Sequence, residues 1–256
     1  RITPEAETKT ALRSLWTYNY TPDAGGYMKD MQETIKGGRW YAMPGEGGVI
    51  MTSFPHGGAD KASGKGHFAY YMNEVWTGQE HQLAAHMLRE GLIDEALVIS
   101  RTIHDRHHAS KRSPYNEVEC SDHYARAMSS HGTFLAACGF DYHGPKGHIA
   151  FAPRLTPEHF RAPFTAAEGW GTYRQAIDGR RMDAEIAVKW GHLRLRSVGL
   201  ELPAGMRDVR VRVLQGDREI ASAHRTGGRA LRIDLADDVA LDTGRTLRVA
   251  VEGAAS

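Results

Sequence analysis

Met182-Asp183-Ala184-Glu185-Ile186-Ala187-Val188 places Met182, Ala184, Ile186 and Val188 on every second position. A period of two is that of a strand with one side toward a core and the other toward water. Working outward, the same alternation returns at Leu193 and Leu195, then at Val209, Val211 and Val213. Leu231, Ile233 and Leu235 continue it, and Leu247, Val249 and Val251 close it. Gly216-Asp217, Gly227-Gly228 and Thr243-Gly244 supply turns between these runs. Charged residues fill the alternate positions, which predicts an antiparallel sheet or small sandwich. Its polar positions gather into no evident chemistry, so this half reads as support.

Upstream of about residue 145 the apolar spacing is helical instead. Thr3-Pro4-Glu5 is a helix start, with Thr3 as cap and Pro4 at the first position, followed by Leu12, Leu15 and Trp16. Gln82 to Leu92 carries Leu83, Ala84, Met87 and Leu88 on one stripe until Gly91 breaks it. Ile93, Ala96, Leu97 and the run from Val98 to Ile103 open another helix. A further helix is expected from Asp122 to Cys138, with Ala125, Met128, Gly132, Leu135 and Ala136. Successive antiparallel helices joined by short loops follow. Arg39 to Met43 and Val49 to Thr52 flank Pro44-Gly45-Glu46-Gly47-Gly48 as a predicted hairpin, with a long loop beyond it. The expected division is a mainly α part over 1–145 and a β-rich extension over 146–256.

Composition removes several classes. The 256 residues hold 32 Lys and Arg against 31 Asp and Glu, a net charge of +1, which gives no reason to expect nucleic acid or an anionic membrane surface. Two cysteines, Cys120 and Cys138, imply no disulfide scaffold. No apolar run approaches the roughly 18 residues of a membrane span. The chain opens on Arg1 without a signal peptide and reads as a piece of a longer protein, leaning cytoplasmic.

Pro114-Tyr115-Asn116-Glu117-Val118-Glu119-Cys120-Ser121-Asp122-His123-Tyr124-Ala125-Arg126 concentrates ionisable groups beside an apolar helix. At about 100° per residue, Glu117 and Arg126 would lie on opposite faces of one helix. They converge only if the helix starts after Glu117, with Ser121 or Asp122 as its cap. A carboxylate beside a guanidinium grips a neutral polyol; the same pair also serves as a salt bridge fixing a loop to a helix. Glu74 and Trp76 stand at the mouth of the next helix upstream. There an indole face takes the C–H side of a sugar while a carboxylate accepts its hydroxyl protons, or Trp76 is simply packed in the core. His104, His107 and His108 lie at a helix end, where His104 and His108 are one turn apart and open a metal reading. No HExxH pattern accompanies them, and cations at a helix C-terminus are favoured in any case. Ser129 and Ser130 near His131 lack a nucleophile elbow, and the glycine runs lack the lysine of a phosphate loop.

Several of these stretches resemble the C-terminal part of glycoside hydrolase family 116, the bile-acid β-glucosidase or non-lysosomal glucosylceramidase type. The likeness runs through Ile2-Thr3-Pro4-Glu5, Ala11 to Leu15, Glu74-Val75-Trp76-Thr77-Gly78, Leu83 to Met87, Glu90-Gly91-Leu92 and Glu117 to Arg126. The resemblance implies helices of a partial (α/α)6 barrel leading into a sugar pocket. It also implies retaining cleavage of β-glucosides or related β-hexosides, with Glu117 and Arg126 on the sugar's outer hydroxyls and Glu74 and Trp76 lining the pocket. No stretch of this chain matches the family's nucleophile or its acid/base, so the upstream remainder of the protein is the expected partner, together with a glycoside substrate. No cofactor is expected, because two carboxylates suffice for retaining hydrolysis. A non-catalytic carbohydrate-binding protein of the same fold and a metal-dependent hydrolase using His104 to His108 are the rival readings.

Overall fold

A computed structural model describes residues 3–31, 41–58, 74–115 and 126–253. The chain divides into two compact units, Arg1–Ala136 and Ala137–Ser256.

In the first unit, α1 (Glu5–Asn19) starts one residue later than expected, with Pro4 as its cap. It runs into β1 (Tyr20–Thr21) and α2 (Ala24–Met31). The predicted hairpin over residues 39–52 does not form among the described residues. Instead β2 (Gly48–Val49) pairs antiparallel with β1, and Ile50 bridges Val75. Side-chain carboxylates explain the change, because they take the amides a hairpin would have used. The Asp23 carboxylate accepts from the Gly26 and Gly45 amides at 2.8 Å each, and Glu46 accepts from the Met43 amide at 2.9 Å. Those two amide bonds hold the Asp23 carboxyl below its usual range.

The helices α3 (Thr77–Glu90) and α4 (Ile93–Arg106) form an antiparallel hairpin. Gly91 closes α3 in the left-handed region at φ 82°, and Leu83, Ala84, Met87 and Leu88 are its buried stripe. On α4 the buried residues are Ala96, Ile99, Ile103 and Arg106, while Leu97 and Val98 face outward. A turn of 3-10 helix, Arg126–Met128, leads into α5 (Ser129–Cys138).

The expected partial (α/α)6 barrel is overturned. Among the described residues 41% are strand, most of it in a mixed ten-stranded sheet, against five α-helices. Helical periodicity established that α1, α3 and α4 exist but says nothing of how many hairpins close around an axis. Here the carboxylate-pinned segment 41–50 and its short strands stand where a barrel needs helix.

The second unit is the β-sandwich that the alternation implies, and it begins earlier, at β3 (Asp141–His143) and β4 (His148–Phe151). β5 (His159–Thr165) and β6 (Gly169–Asp178) lead to β7 (Arg181–Glu201), a 21-residue strand that runs through both halves of the sheet. β8 (Val209–Gln215), β9 (Arg218–Ile220), β10 (Ser222–Gly227), β11 (Ala230–Asp242) and β12 (Thr246–Gly253) complete it. One half runs β5-β6-β7-β12-β8-β9; the other joins β10 and β11 to the C-terminal part of β7. β4 pairs with residues 197–200 of β7 in parallel, so the sheet is mixed rather than wholly antiparallel. Both halves contribute to one apolar core, in which Phe151 stacks on Tyr173 with ring centroids 3.9 Å apart. The Tyr173 hydroxyl donates to Gln175 Oε1 at 2.6 Å, and Gln175 Nε2 donates to the Pro157 carbonyl at 2.8 Å, so both buried side chains are hydrogen-bonded.

Candidate functional site

The mouth of α3 brings together three of the four residues singled out by sequence. Glu74 is fully buried and leads through Val75 to Trp76, which caps the helix in an extended conformation. The Trp76 indole N–H donates to Glu74 Oε2. The Arg126 guanidinium carbon lies 5.9 Å from the centre of the Trp76 ring, within reach of a cation–π attraction. Glu74 thus orients the indole, and Arg126 covers it. The fourth residue, Glu117, lies outside the described residues.

Gly78 makes this crossing possible. A β-carbon there would stand 2.8 Å from Arg126 Cδ and 3.2 Å from its Cβ, so the arginine stem runs over a position where only hydrogen fits. Arg126 sits in the 3-10 turn ahead of α5, and the expected helix start at Ser121 or Asp122 lies outside the described residues.

Beside Arg126 opens a hollow of 520 Å³ lined also by Gly78, Gln79, Gln82, Met128 and Ser129. Gln79 and Gln82 are three apart on α3 and share one face of it. Gln79 Oε1 is buried and accepts no hydrogen bond among the described residues. Sequence reading passed over both glutamines, although their spacing on a helix that begins at Thr77 was the available signal. The lining is neutral apart from Arg126. It presents amides, a hydroxyl and a guanidinium, a donor and acceptor set suited to an uncharged polyol.

A buried ion pair underlies the site. Both Arg106 terminal nitrogens reach the Glu80 carboxylate, and the two residues are 3% and 0% exposed. Glu80 Oε1 also accepts from the Val49 amide at 2.9 Å, and Arg106 donates to the Gly47 carbonyl at 2.8 Å. One pair therefore ties α3, α4 and β2 together. Gly48 stands against it: a β-carbon there would meet Val75 at 2.5 Å and Arg106 Nη1 at 3.3 Å. A second pair, Arg112 with Glu46, holds the segment before β2, with Arg112 also donating to the Tyr41 carbonyl at 2.9 Å. His81, next along α3, receives the Thr133 hydroxyl on its carbonyl at 3.0 Å. Burial, then the nearby Arg106 charge, pushes its imidazole below the usual histidine range.

The histidines at the end of α4 are engaged locally. His107 Nδ1 lies 2.9 Å from the Ile103 carbonyl, and His108 Nδ1 lies 2.8 Å from the Ser110 hydroxyl. Among the described residues no group of three or more His, Cys, Asp or Glu is placed to hold a metal ion. Cys138 is a buried free thiol, raised to about 11 by burial. Among the described residues no helix is long and apolar enough to cross a membrane.

No family model and no characterised protein matches the sequence. Among solved structures, 52% of the chain is similar to an α-L-rhamnosidase from Dictyoglumus thermophilum, at 13% identity and a TM-score of 0.31. The matched part spans 14% of that glycoside hydrolase. A likeness of that size assigns neither a sugar nor a reaction to this chain.

Proposed function

We propose that this chain supplies sugar-holding residues to the active site of a retaining β-glycosidase acting on β-glucosides or related β-hexosides, of the glucosylceramidase kind. The observation that carries the reading is the stacking of Arg126 over a Trp76 ring held by buried Glu74, with Arg126 itself lining a hollow of amides and a hydroxyl. In it, the Trp76 indole meets the C–H face of the sugar, held at its angle by Glu74. Arg126 donates to outer hydroxyls, and Gln79 Oε1 accepts from one. Glu117 is proposed to face Arg126 across the same sugar, adding an acceptor. The hydrolysis needs two further carboxylates flanking the scissile bond, about 5–5.5 Å apart for a retaining enzyme, and none of the residues named here takes either part.

The test is steady-state hydrolysis of p-nitrophenyl β-glucoside by the full-length protein. Trp76→Ala and Arg126→Ala should each cost about 1–3 kcal/mol of binding, on the order of tenfold to a hundredfold in kcat/KM. Unchanged kcat/KM in both variants sinks the assignment. Binding of methyl β-glucoside without any turnover would favour a non-catalytic sugar-binding protein instead.

A further inference from the structure

The second unit carries a feature that its role as support leaves unexplained. Trp170 and Trp190 are register partners across β6 and β7 and are 48% and 62% exposed. Two adjoining exposed indoles on a sandwich mark a contact surface. Their backbone is shaped for display. The β6–β7 register shifts beside Trp170, leaving Lys189 as the extra residue of a bulge, a device that re-aims side chains. A β-carbon on Gly169 would meet the Trp190 carbonyl at 2.5 Å, and Gly191, at φ 78°, would meet the Glu168 carbonyl at 2.1 Å. Only glycine permits the strands to close at this point.

On the same face, Arg161, Arg174, Glu185 and Arg248 lie in one register row across β5, β6, β7 and β12. Glu185 serves two of the arginines, Arg174 at 3.6 Å and Arg248 at 3.3 Å. Arg161, directly opposite Arg174, has no ion pair among the described residues. Like charges in register weaken a sheet, so nothing in the fold itself calls for this row. It borders a hollow of 790 Å³, to which Arg181 and Arg212 add two more guanidiniums and Asp183 one more carboxylate. Thr172 lies between Arg174 and Trp170 on β6. The arginine row and the indoles are thus about 13 Å apart along one strand face.

We propose that this face binds a polysaccharide bearing uronate carboxylates, with sugar rings laid on Trp170 and Trp190 and a carboxylate gripped by the Arg161–Arg174 row. Planar guanidiniums match a planar carboxylate in bidentate fashion. The indoles take the apolar side of a pyranose, and Asp183 and Glu185 accept hydroxyl protons. Those two acids also choose the polymer, because a densely charged sulfate or phosphate chain would press against them. The face lies wholly in the second unit and is independent of the site at Trp76.

The test is affinity electrophoresis of the full chain in native gels containing polygalacturonate, a neutral galactan or single-stranded DNA. Polygalacturonate should retard the protein most strongly, and added salt should weaken that retardation. Trp170→Ala with Trp190→Ala should lower affinity at least tenfold. Arg161→Gln with Arg174→Gln should erase the preference over neutral galactan, while Trp76→Ala, which is aimed at the glucoside site, leaves the retardation by polygalacturonate at the parent's level. Both pairs are solvent-facing, and unaltered melting temperatures will confirm intact folds. No retardation by polygalacturonate, retardation indifferent to both double variants, loss on Trp76→Ala, or tighter binding of DNA would each overturn the proposal.

Discussion

The two units solve the problem of an interior in opposite ways. The second encloses a continuous apolar core and keeps its ion pairs outside, as with Arg196 on Asp238 or Arg181 on Asp183. The first sets charge inside its interior: Glu80 and Arg106 are sealed between two helices and a strand beside the apolar stripes of α3 and α4, and Glu46 pairs with Arg112. Around β2 its apolar packing is a small cluster of Ala24, Ala42, Ile50 and Val75, with Tyr27 against it. The lesson is that a polar interior specifies where a loop goes, whereas an apolar one specifies only which face is hidden. The first unit needs the former, because segment 41–50 lacks long strands or helix and is fixed to α3 and α4 through Glu80 and Arg106, and to Arg112 through Glu46.

The largest effects should come from attacking each interior in its own terms. Glu80→Ala leaves Arg106 buried without its carboxylate and should cost about 3–5 kcal/mol. Phe151→Ala opens a cavity in the sandwich and should cost about 3–5 kcal/mol. Urea unfolding gives the totals, and hydrogen exchange resolved by segment should place the first loss in residues 74–106 and the second in the β-strands. Losses spread evenly over both units would erase the contrast.

Next in size is a change aimed at the site rather than at the interior. Gly78→Ala puts a methyl group against the Arg126 stem. It should lower kcat/KM for a β-glucoside by on the order of tenfold while the unfolding midpoint stays near the parent's. A stability loss with unchanged kcat/KM would mean that the arginine is not positioned by that glycine.

Acid should trouble both units through one histidine each. Burial lowers the folded pKa of His81 and of His148, so each binds a proton more readily when unfolded. Stability is therefore full above the ordinary histidine pKa of about 6.5 and falls as pH drops through and below it. Urea midpoints at pH 7.5 and 5.5 should show the loss, reduced in His81→Gln for the first unit and in His148→Gln for the second. Smallest of all is Arg196→Ala, which removes an exposed ion pair and should leave the midpoint unmoved.

How much of this was legible depends on the range of the interactions. The sandwich could be read because alternation at Met182 to Val188 is a local property of strands, and the turns at Gly216, Gly228 and Gly244 carry their own signal. The parallel pairing of β4 with β7 could not, since alternation gives a strand's faces and not its neighbour. In the first unit the helices α3 and α4 were visible, but the barrel expectation failed because its geometry rests on distant partners. The Glu80 carboxylate reaches an amide 31 residues upstream, and the Asp23 carboxylate one 22 residues downstream. Nothing in local periodicity announces such bonds. At the candidate site, Trp76, Glu74 and Arg126 stood out by chemical type, while Gln79 and Gln82 looked like ordinary helix surface. The arginines of the second unit were read as a wet face, which conceals that three of them share one row.

The most direct check on the account is the dissociation constant of methyl β-D-glucoside for the full-length protein, measured by calorimetry alongside Arg126→Ala. Arg126→Ala should bind the glucoside at least tenfold more weakly, with Arg196→Ala matching the parent. Equal affinity in the parent and in Arg126→Ala would contradict the placing of a sugar beside Trp76.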